Sequence, residues 1–124
     1  MVNAAGDIAS RGSWHGEPLR AGVADPRDRS RLLCVVDLAG ALATSGDYER
    51  PGQLLDPRDG TSRCLYLSAS VTGPDLAIAD ALATALCVGG EPVLEVIAAR
   101  PDYAALVVEP DGAVRATSGF PFAR

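Results

Sequence analysis

The sequence predicts an α+β fold with a mainly antiparallel sheet and two helices. Three observations support this prediction: an alternating apolar segment over residues 64–72, a nearly all-apolar segment of helix length after Asp75, and two short apolar runs around Pro110-Asp111-Gly112. Several strands therefore come first, then two helices, then a hairpin. Because strands and helices do not alternate regularly, a doubly wound parallel sheet is not expected.

The strands are expected as short runs separated by turns rich in Gly, Pro and Asp. Within residues 64–72, Leu65, Leu67, Ala69 and Val71 recur at every second position, which is the period of a strand. Further strands are predicted, in order, at 7–11, 19–24, 32–38, 40–44, 53–55, 104–109 and 113–117, with turns at 25–28, 56–60 and 110–112.

Two helices are predicted between these strands. The first covers 76–87, because Asp75 is a suitable N-cap and Gly89-Gly90 is a typical helix stop. The second covers 92–100, because Pro92 suits a first helical turn and Pro101 prevents continuation.

The first helix has a single polar seam. Ten of the twelve residues in 76–87 are apolar, and the two exceptions, Asp80 and Thr84, are four residues apart and share one face. A carboxylate on a mostly buried helix is costly unless it is paired or binds a metal, and oxygen ligands suit a hard cation such as Mg²⁺. The alternatives are that the seam faces water, or that Asp80 pairs with an Arg.

Composition excludes some classes of partner. The 124 residues suit one domain, and the net charge of −5 argues against nucleic acid and anionic membranes as partners. No basic N-terminal region is followed by a long apolar run, so we expect a cytoplasmic, soluble protein. All eleven basic residues are Arg, which leaves no Lys for a phosphate clamp.

Neither the cysteines nor the histidine form a recognisable site in the sequence. Cys34, Cys64 and Cys87 form no CxxC pair and lie in apolar runs, so we expect small buried side chains and no zinc site. His15, the one histidine, lies in a Gly-rich turn, where we expect an exposed loop residue.

Four segments resemble, in order and in spacing, motifs of the FAD:protein FMN transferases, the ApbE family. Residues 2–8 resemble the family's Asn-x-Gly-Gly-Asp strand, and residues 41–50 (Ala-Leu-Ala-Thr-Ser-Gly-Asp-Tyr-Glu-Arg) resemble its Ser-Gly…Arg loop. Residues 53–60 (Gln-Leu-Leu-Asp-Pro-Arg-Asp-Gly) resemble its His-Ile-x-Asp-Pro-x-x-Gly motif, and residues 79–86 resemble its Asp-x-x-x-Thr helix. The resemblance covers the whole chain as the family's C-terminal half, and it implies a T-fold-like half domain over residues 1–124.

The resemblance also implies an activity and site residues. Members of this family use Mg²⁺ to transfer FMN from FAD to a Thr or Ser hydroxyl of a target flavoprotein, releasing AMP. Asp80 and Thr84 would then be Mg²⁺ ligands, Leu54 would contact the flavin mainly through its backbone, and the FAD site would be shaped by Ser45, Gly46 and Arg50. For Arg50 a structural salt bridge with Glu49 or Asp47 remains open, and for Asp56 a turn-closing role remains open.

Two departures from the family pattern limit the expected activity. Gln53 replaces the family's His and cannot titrate, so an acid-base role there is lost. The family's N-terminal half, which supplies a Gly-Gly segment with a nearby Lys, a backbone carbonyl for Mg²⁺ and much of the FAD pocket, has no counterpart in these residues. We therefore expect the chain alone to be inactive or nearly so, and to associate with a separate N-terminal half or with itself. The alternative function is a non-catalytic flavin-binding or interaction remnant of the family.

Overall fold

Helices cover one face of a six-stranded antiparallel sheet, and a two-stranded hairpin covers the other. The computed structural model describes residues 2–4, 7–11, 16–46, 58, 60 and 64–123. The elements are, in chain order, β1 (Val2–Ala4), β2 (Asp7–Ala9), β3 (Leu19–Asp25), β4 (Asp28–Leu38), β5 (Ala41–Ser45), β6 (Ser68–Gly73), α1 (Leu76–Gly89), α2 (Glu91–Ala98), β7 (Ala104–Val108) and β8 (Val114–Ala116).

The main sheet has the strand order β1-β2-β5-β6-β7-β8, with every neighbouring pair antiparallel. Its centre is the β5–β6 pair, in which Ala41 lies opposite Gly73 and Ser45 lies opposite Ala69. The two helices lie between β6 and β7 in the chain. They therefore connect two strands that are antiparallel neighbours in the sheet. The α+β fold with a mainly antiparallel sheet and two helices is confirmed.

The helices pack on the sheet through small and branched apolar side chains. The buried cluster between them includes Ala43, Val71 and Val107 from the strands and Ala83 and Ile97 from the helices. The N-cap of α1 is Asp75, whose Oδ1 accepts a hydrogen bond from the N–H of Ile78 at 3.1 Å. The helix ends at Gly90, whose positive φ of 73° favours glycine and whose N–H bonds to the carbonyl of Leu86.

The hairpin formed by β3 and β4 covers the opposite face of the sheet. Its buried residues Val23, Val36 and Leu38 pack with Leu42 and Leu106 of the sheet. The chain after β8 adds to the hairpin's edge, because the N–H of Asp37 bonds to the carbonyl of Pro121 and the N–H of Ala123 bonds to that of Val35.

The strand β6 is covered by the helices on one face and by the hairpin on the other, so its polar residues are buried as well as its apolar ones. Ala69 and Val71 face the helices, while Ser68, Ser70 and Thr72 are buried on the hairpin side of the sheet. Thr44 on the neighbouring strand shares that side, where its hydroxyl lies 2.9 Å from the hydroxyl of Ser70. The alternation expected over 64–72 is therefore present, but no face of β6 is left for water.

Most boundaries shift by one or two residues, and the larger differences from expectation lie in three places. Residues 2–8 do not form one strand, because β1 and β2 pair with each other with Ala4 opposite Asp7. The strand expected from residue 64 begins at Ser68, because the N–H of Leu65 bonds to the carbonyl of Cys87 at the end of α1. The strand expected from residue 32 begins at Asp28, because the hairpin pairs up to its turn. The strand predicted at 53–55 lies outside the described residues.

Of the three cysteines, only Cys87 is fully buried, whereas Cys34 and Cys64 are half-buried. Burial raises the pKa of the Cys34 thiol. None of the described helices is both long enough and apolar enough to cross a lipid bilayer.

Candidate functional site

The end of β5 and the middle of α1 meet at a pair of hydroxyl groups. Ser45 is the last residue of β5 and, like Ala41 and Ala43, faces the helices. Thr84 lies on α1, which packs across β5 and β6. The Oγ of Ser45 and the Oγ1 of Thr84 are 3.2 Å apart, so two segments separated by 39 residues in the chain come into contact.

Further hydrogen bonds hold the end of β5 in place. The thiol of Cys87, one turn after Thr84, donates to the carbonyl of Ser45 over 3.4 Å. On the other side, the Oδ1 of Asp7 accepts from the N–H of Thr44 at 3.3 Å. The backbone of Thr44 is thereby tied to β2, and that of Ser45 is tied to α1.

Asp80 lies one turn before Thr84, on the same face of α1. Its side chain is exposed, whereas Thr84 is half-buried. No arginine among the described residues forms an ion pair with Asp80. Thr84 therefore contacts the end of β5, and metal binding by Asp80 and Thr84 stays a prediction.

The donor atoms at this place fit a hard cation. They are the carboxylate of Asp80 and the hydroxyls of Thr84 and Ser45, all oxygens, as Mg²⁺ prefers. Within the described part of the chain, no group of three or more His, Cys, Asp or Glu side chains is placed to hold a metal ion. A cation here would have one protein carboxylate and would need further oxygens from water or from phosphate.

Of the other residues that the sequence assigned to the site, the structure describes Gly46. It directly follows Ser45 and is half-buried at the end of β5. Arg50, Leu54, Gln53 and Asp56 lie outside the described residues, as does His15. The roles expected for these residues from the sequence therefore stay predictions.

Asp7 and Cys87 were not assigned to the site from the sequence. A signal for Asp7 was present, because it is the acidic residue in the segment that resembles Asn-x-Gly-Gly-Asp. A signal for Cys87 was also present, because it lies three residues after Thr84 and so one turn along the same side of α1. What the sequence lacked was the pairing of β2 with β5, which brings Asp7 beside Thr44.

Comparison with known proteins decides the family. The model of the ApbE family matches residues 1–107. The chain is also 34% identical, over an alignment of 127 positions, to an FAD:protein FMN transferase of Rhodobacter capsulatus, and the alignment covers 94% of this chain. This chain belongs to the ApbE family.

Solved ApbE structures share the fold as well. The ApbE protein of Thermotoga maritima superposes with a TM-score of 0.81 at 33% identity, over 94% of this chain. The flavin transferase ApbE of Vibrio cholerae superposes with a TM-score of 0.71 at 29% identity. The chain spans 24% of the length of the Rhodobacter relative and 41% of the Thermotoga chain, so it corresponds to part of each.

Proposed function

We propose that this chain supplies the Asp80–Thr84 part of the active site of an FAD:protein FMN transferase. The activity is suggested by the family and by the names of the relatives in Rhodobacter and Vibrio. The observation that carries the proposal is the 3.2 Å contact between the hydroxyls of Ser45 and Thr84. It supports a common site because it joins the Ser-Gly segment to the Asp-x-x-x-Thr helix.

In the proposed reaction, FMN passes from FAD to a Thr or Ser hydroxyl of an acceptor flavoprotein. The acceptor oxygen forms a bond to the phosphorus of the FMN portion, and the bond from that phosphorus to the bridging pyrophosphate oxygen breaks. AMP leaves with the bridging oxygen, and the acceptor proton passes to solvent. Phosphoryl transfer of this kind depends mainly on positioning and on neutralising phosphate charge.

Asp80 and Thr84 are the residues that would hold Mg²⁺ in this proposal. When bound, Mg²⁺ would neutralise charge on the FAD phosphates. Thr84 would be oriented by its hydrogen bond to Ser45, while Ser45 and Gly46, with Arg50 and Leu54, would line the flavin side of the site. The exposed carboxylate of Asp80 would bring the one protein charge.

The chain alone would hold Mg²⁺ and FAD weakly. Mg²⁺ gives up its water reluctantly, and two protein ligands without a complete phosphate site hold it poorly. The matched relatives contain residues beyond the region that this chain spans. We propose that such residues, in a separate N-terminal half, complete the FAD pocket and add a ligand to the metal.

A titration of FAD tests this proposal directly. FAD fluorescence is followed as the purified chain is added, with and without Mg²⁺, for the wild type and for Asp80→Asn. Asp102→Asn is the matched control, because Asp102 is an exposed aspartate in the α2–β7 connection. We expect weak FAD binding that Mg²⁺ strengthens in the wild type and in the control but not in Asp80→Asn. Equal strengthening in all three chains would exclude Asp80 as a ligand.

A flavin-binding role without catalysis is the second candidate, and the short span of the chain relative to its relatives favours considering it. The same titration separates it from an unrelated interaction role. FAD binding without any Mg²⁺ effect would indicate a flavin-binding module. No FAD binding at all would argue against both the transferase role and the flavin-binding role.

A further inference from the structure

A cleft opens at the end of the main sheet where β6 finishes, away from the Ser45–Thr84 pair. In the pairing of β5 with β6, Ala41 lies opposite Gly73 at this end, and Ser45 lies opposite Ala69 at the other. Successive residues of a strand rise by about 3.3 Å, so the two ends of β5 are roughly 13 Å apart. The cleft has a volume of about 460 Å³, which is in the range of sites that hold small ligands.

Four segments that are distant in the sequence line the cleft. They are the turn between β4 and β5, the end of β6, the connection from α2 to β7, and the chain after β8. The lining includes the aliphatic residues Leu38, Pro74 and Pro101 and the hydroxyl-bearing residues Thr72, Thr117 and Ser118. An apolar lining with a few polar groups is typical of small-molecule sites.

The hydroxyl of Thr72 has no hydrogen-bond partner in the described part of the fold. Thr72 is 7% exposed, and no described residue bonds to its side chain. By contrast, the hydroxyl of Ser70, on the same side of β6, lies 2.9 Å from that of Thr44. Among the described residues no fully buried side-chain oxygen lacks a partner, so the Thr72 oxygen is reached through the cleft that it lines. A polar group at this depth is costly unless a molecule in the cleft satisfies it.

The charged residues that line the cleft are already paired. Asp37 accepts a hydrogen bond from Arg20 at 3.3 Å. The Nε of Arg100 lies 3.8 Å from the carboxylate of Asp102, and its guanidinium lies 4.9 Å from the centroid of the Tyr103 ring. Among the described lining residues, no charged side chain is therefore left unpaired for an ionic ligand. The net charge of −5 further disfavours a phosphate.

We infer that this cleft binds a small neutral polyol, either a free monosaccharide or the ribose of a nucleoside. A sugar hydroxyl both donates and accepts, so it can satisfy the Thr72 hydroxyl in either direction. The C–H groups of a sugar ring can pack against the aliphatic part of the lining. The inference goes beyond the proposed function and does not rest on it, because the cleft and the Ser45–Thr84 pair lie at opposite ends of β5.

Nuclear magnetic resonance of the isotope-labelled chain tests the site. Backbone amide shifts are followed as glucose, adenosine, putrescine or inorganic phosphate is added. We expect glucose or adenosine to shift amides at the cleft, such as those of Gly73 and Ser118, with a dissociation constant on the order of 1–10 mM. Tighter binding of adenosine would identify a nucleoside as the ligand, and tighter binding of glucose a free sugar. Cleft shifts with neither polyol, or with the charged probes alone, would overturn the inference.

The variant Thr72→Val removes the hydroxyl at nearly constant volume. We expect it to weaken polyol binding about tenfold and to leave the urea midpoint of unfolding unchanged or raised, because the hydroxyl has no partner in the fold. Ser70→Ala is the matched control, which should bind polyol as the wild type does and unfold at lower urea, since Thr44 loses its partner. Unchanged binding in Thr72→Val, or a lowered midpoint, would contradict the assignment.

A second pair of variants blocks the cleft from exposed positions, where substitution does not disturb the core. Ala98 lines the cleft and is exposed, whereas its exposed neighbour Ala99 is not part of the lining. We expect Ala98→Trp to abolish the cleft shifts and Ala99→Trp to keep them, and equal binding in both would count against the site. Asp80→Asn should bind polyol as the wild type does whatever the FAD titration shows, so failure of this inference can be told from failure of the proposed function.

Discussion

At the scale of single residues, the hydroxyl of Thr84 has a hydrogen-bond partner in the fold, Ser45, and a proposed second partner, Mg²⁺. We expect Thr84→Val to lower the free energy of unfolding by about 0.5–1.5 kcal/mol, since Ser45 loses its hydrogen-bond partner. Thr84→Ser keeps the hydroxyl and should lose less. Urea denaturation followed by circular dichroism measures both.

The same pair of variants also tests the ligand role. We expect Mg²⁺ to strengthen FAD binding in Thr84→Ser but not in Thr84→Val, because only the serine retains an oxygen. Unchanged Mg²⁺-dependent FAD binding in Thr84→Val would limit the residue to a structural role.

Part of the candidate site could be predicted from local sequence and part could not. The shared face of Asp80 and Thr84 follows from their four-residue spacing alone. The contact of Thr84 with Ser45 depends on how α1 crosses β5, and the contact of Asp7 with Thr44 depends on strand pairing. Periodicity contains no information about either, because both join residues far apart in the chain.

At the scale of the elements, the junction of β6 and α1 depends on a glycine. A Cβ on Gly73 would overlap the ring of Tyr103, which is 5% exposed and packs against the strand end. We expect Gly73→Ala to destabilise the fold by about 1–3 kcal/mol, because the buried ring must move. Gly119→Ala is the control: its Cβ would meet no atom within 4 Å, and its effect should stay within about 0.5 kcal/mol. Equal midpoints in urea for the two variants would contradict this packing.

The start of α2 is joined to β8 by an ion pair that should respond to acid. The guanidinium of Arg115 donates to both carboxylate oxygens of Glu91 at 2.8 Å, and also to Glu109 at 3.0 Å. The hydrogen bonds from Arg115 to Glu91 hold the pKa of the Glu91 carboxyl below its ordinary value of 4.5. Since the folded-state pKa is depressed, the stabilisation is present above the unfolded pKa and is lost as pH falls through the folded one.

We therefore expect Glu91→Gln to lower the melting temperature slightly at pH 7 and to have no effect once Glu91 is protonated in the wild type. The effect is small because both side chains are about half exposed to solvent. Thermal unfolding of both proteins between neutral and acidic pH measures the difference in melting temperature. A difference that persists in acid would contradict the stabilising role of the Glu91–Arg115 ion pair.

Element types were more predictable than element ends. The N-cap at Asp75 and the stop at Gly90 have local causes, so α1 was expected close to where it occurs. The start of β6 was misplaced by four residues because the bond from Leu65 to Cys87 is a tertiary contact. The hairpin that buries Ser68, Ser70 and Thr72 likewise could not be inferred from β6 alone.

At the scale of the whole molecule, the layers expose one end of the polar seam. The sheet holds Ser45 against Thr84, and the exposed carboxylate of Asp80 lies beside them on α1. Among the described residues, no group of three or more His, Cys, Asp or Glu side chains could hold a metal ion. We propose that this chain forms part, and not the whole, of an FMN transferase site.

Covalent labelling of an acceptor tests that claim most directly. The purified chain is incubated with FAD, Mg²⁺ and a flavoprotein substrate of the family, alone and after co-expression with the remaining segment of the Thermotoga relative. Covalent flavin fluorescence on the acceptor is then read after denaturing electrophoresis. We predict no multiple-turnover labelling by the chain alone, labelling by the combined chains, and its loss in Asp80→Ala but not in Asp102→Ala. Multiple-turnover labelling by the chain alone, or labelling by the combined chains that survives Asp80→Ala, would contradict the account.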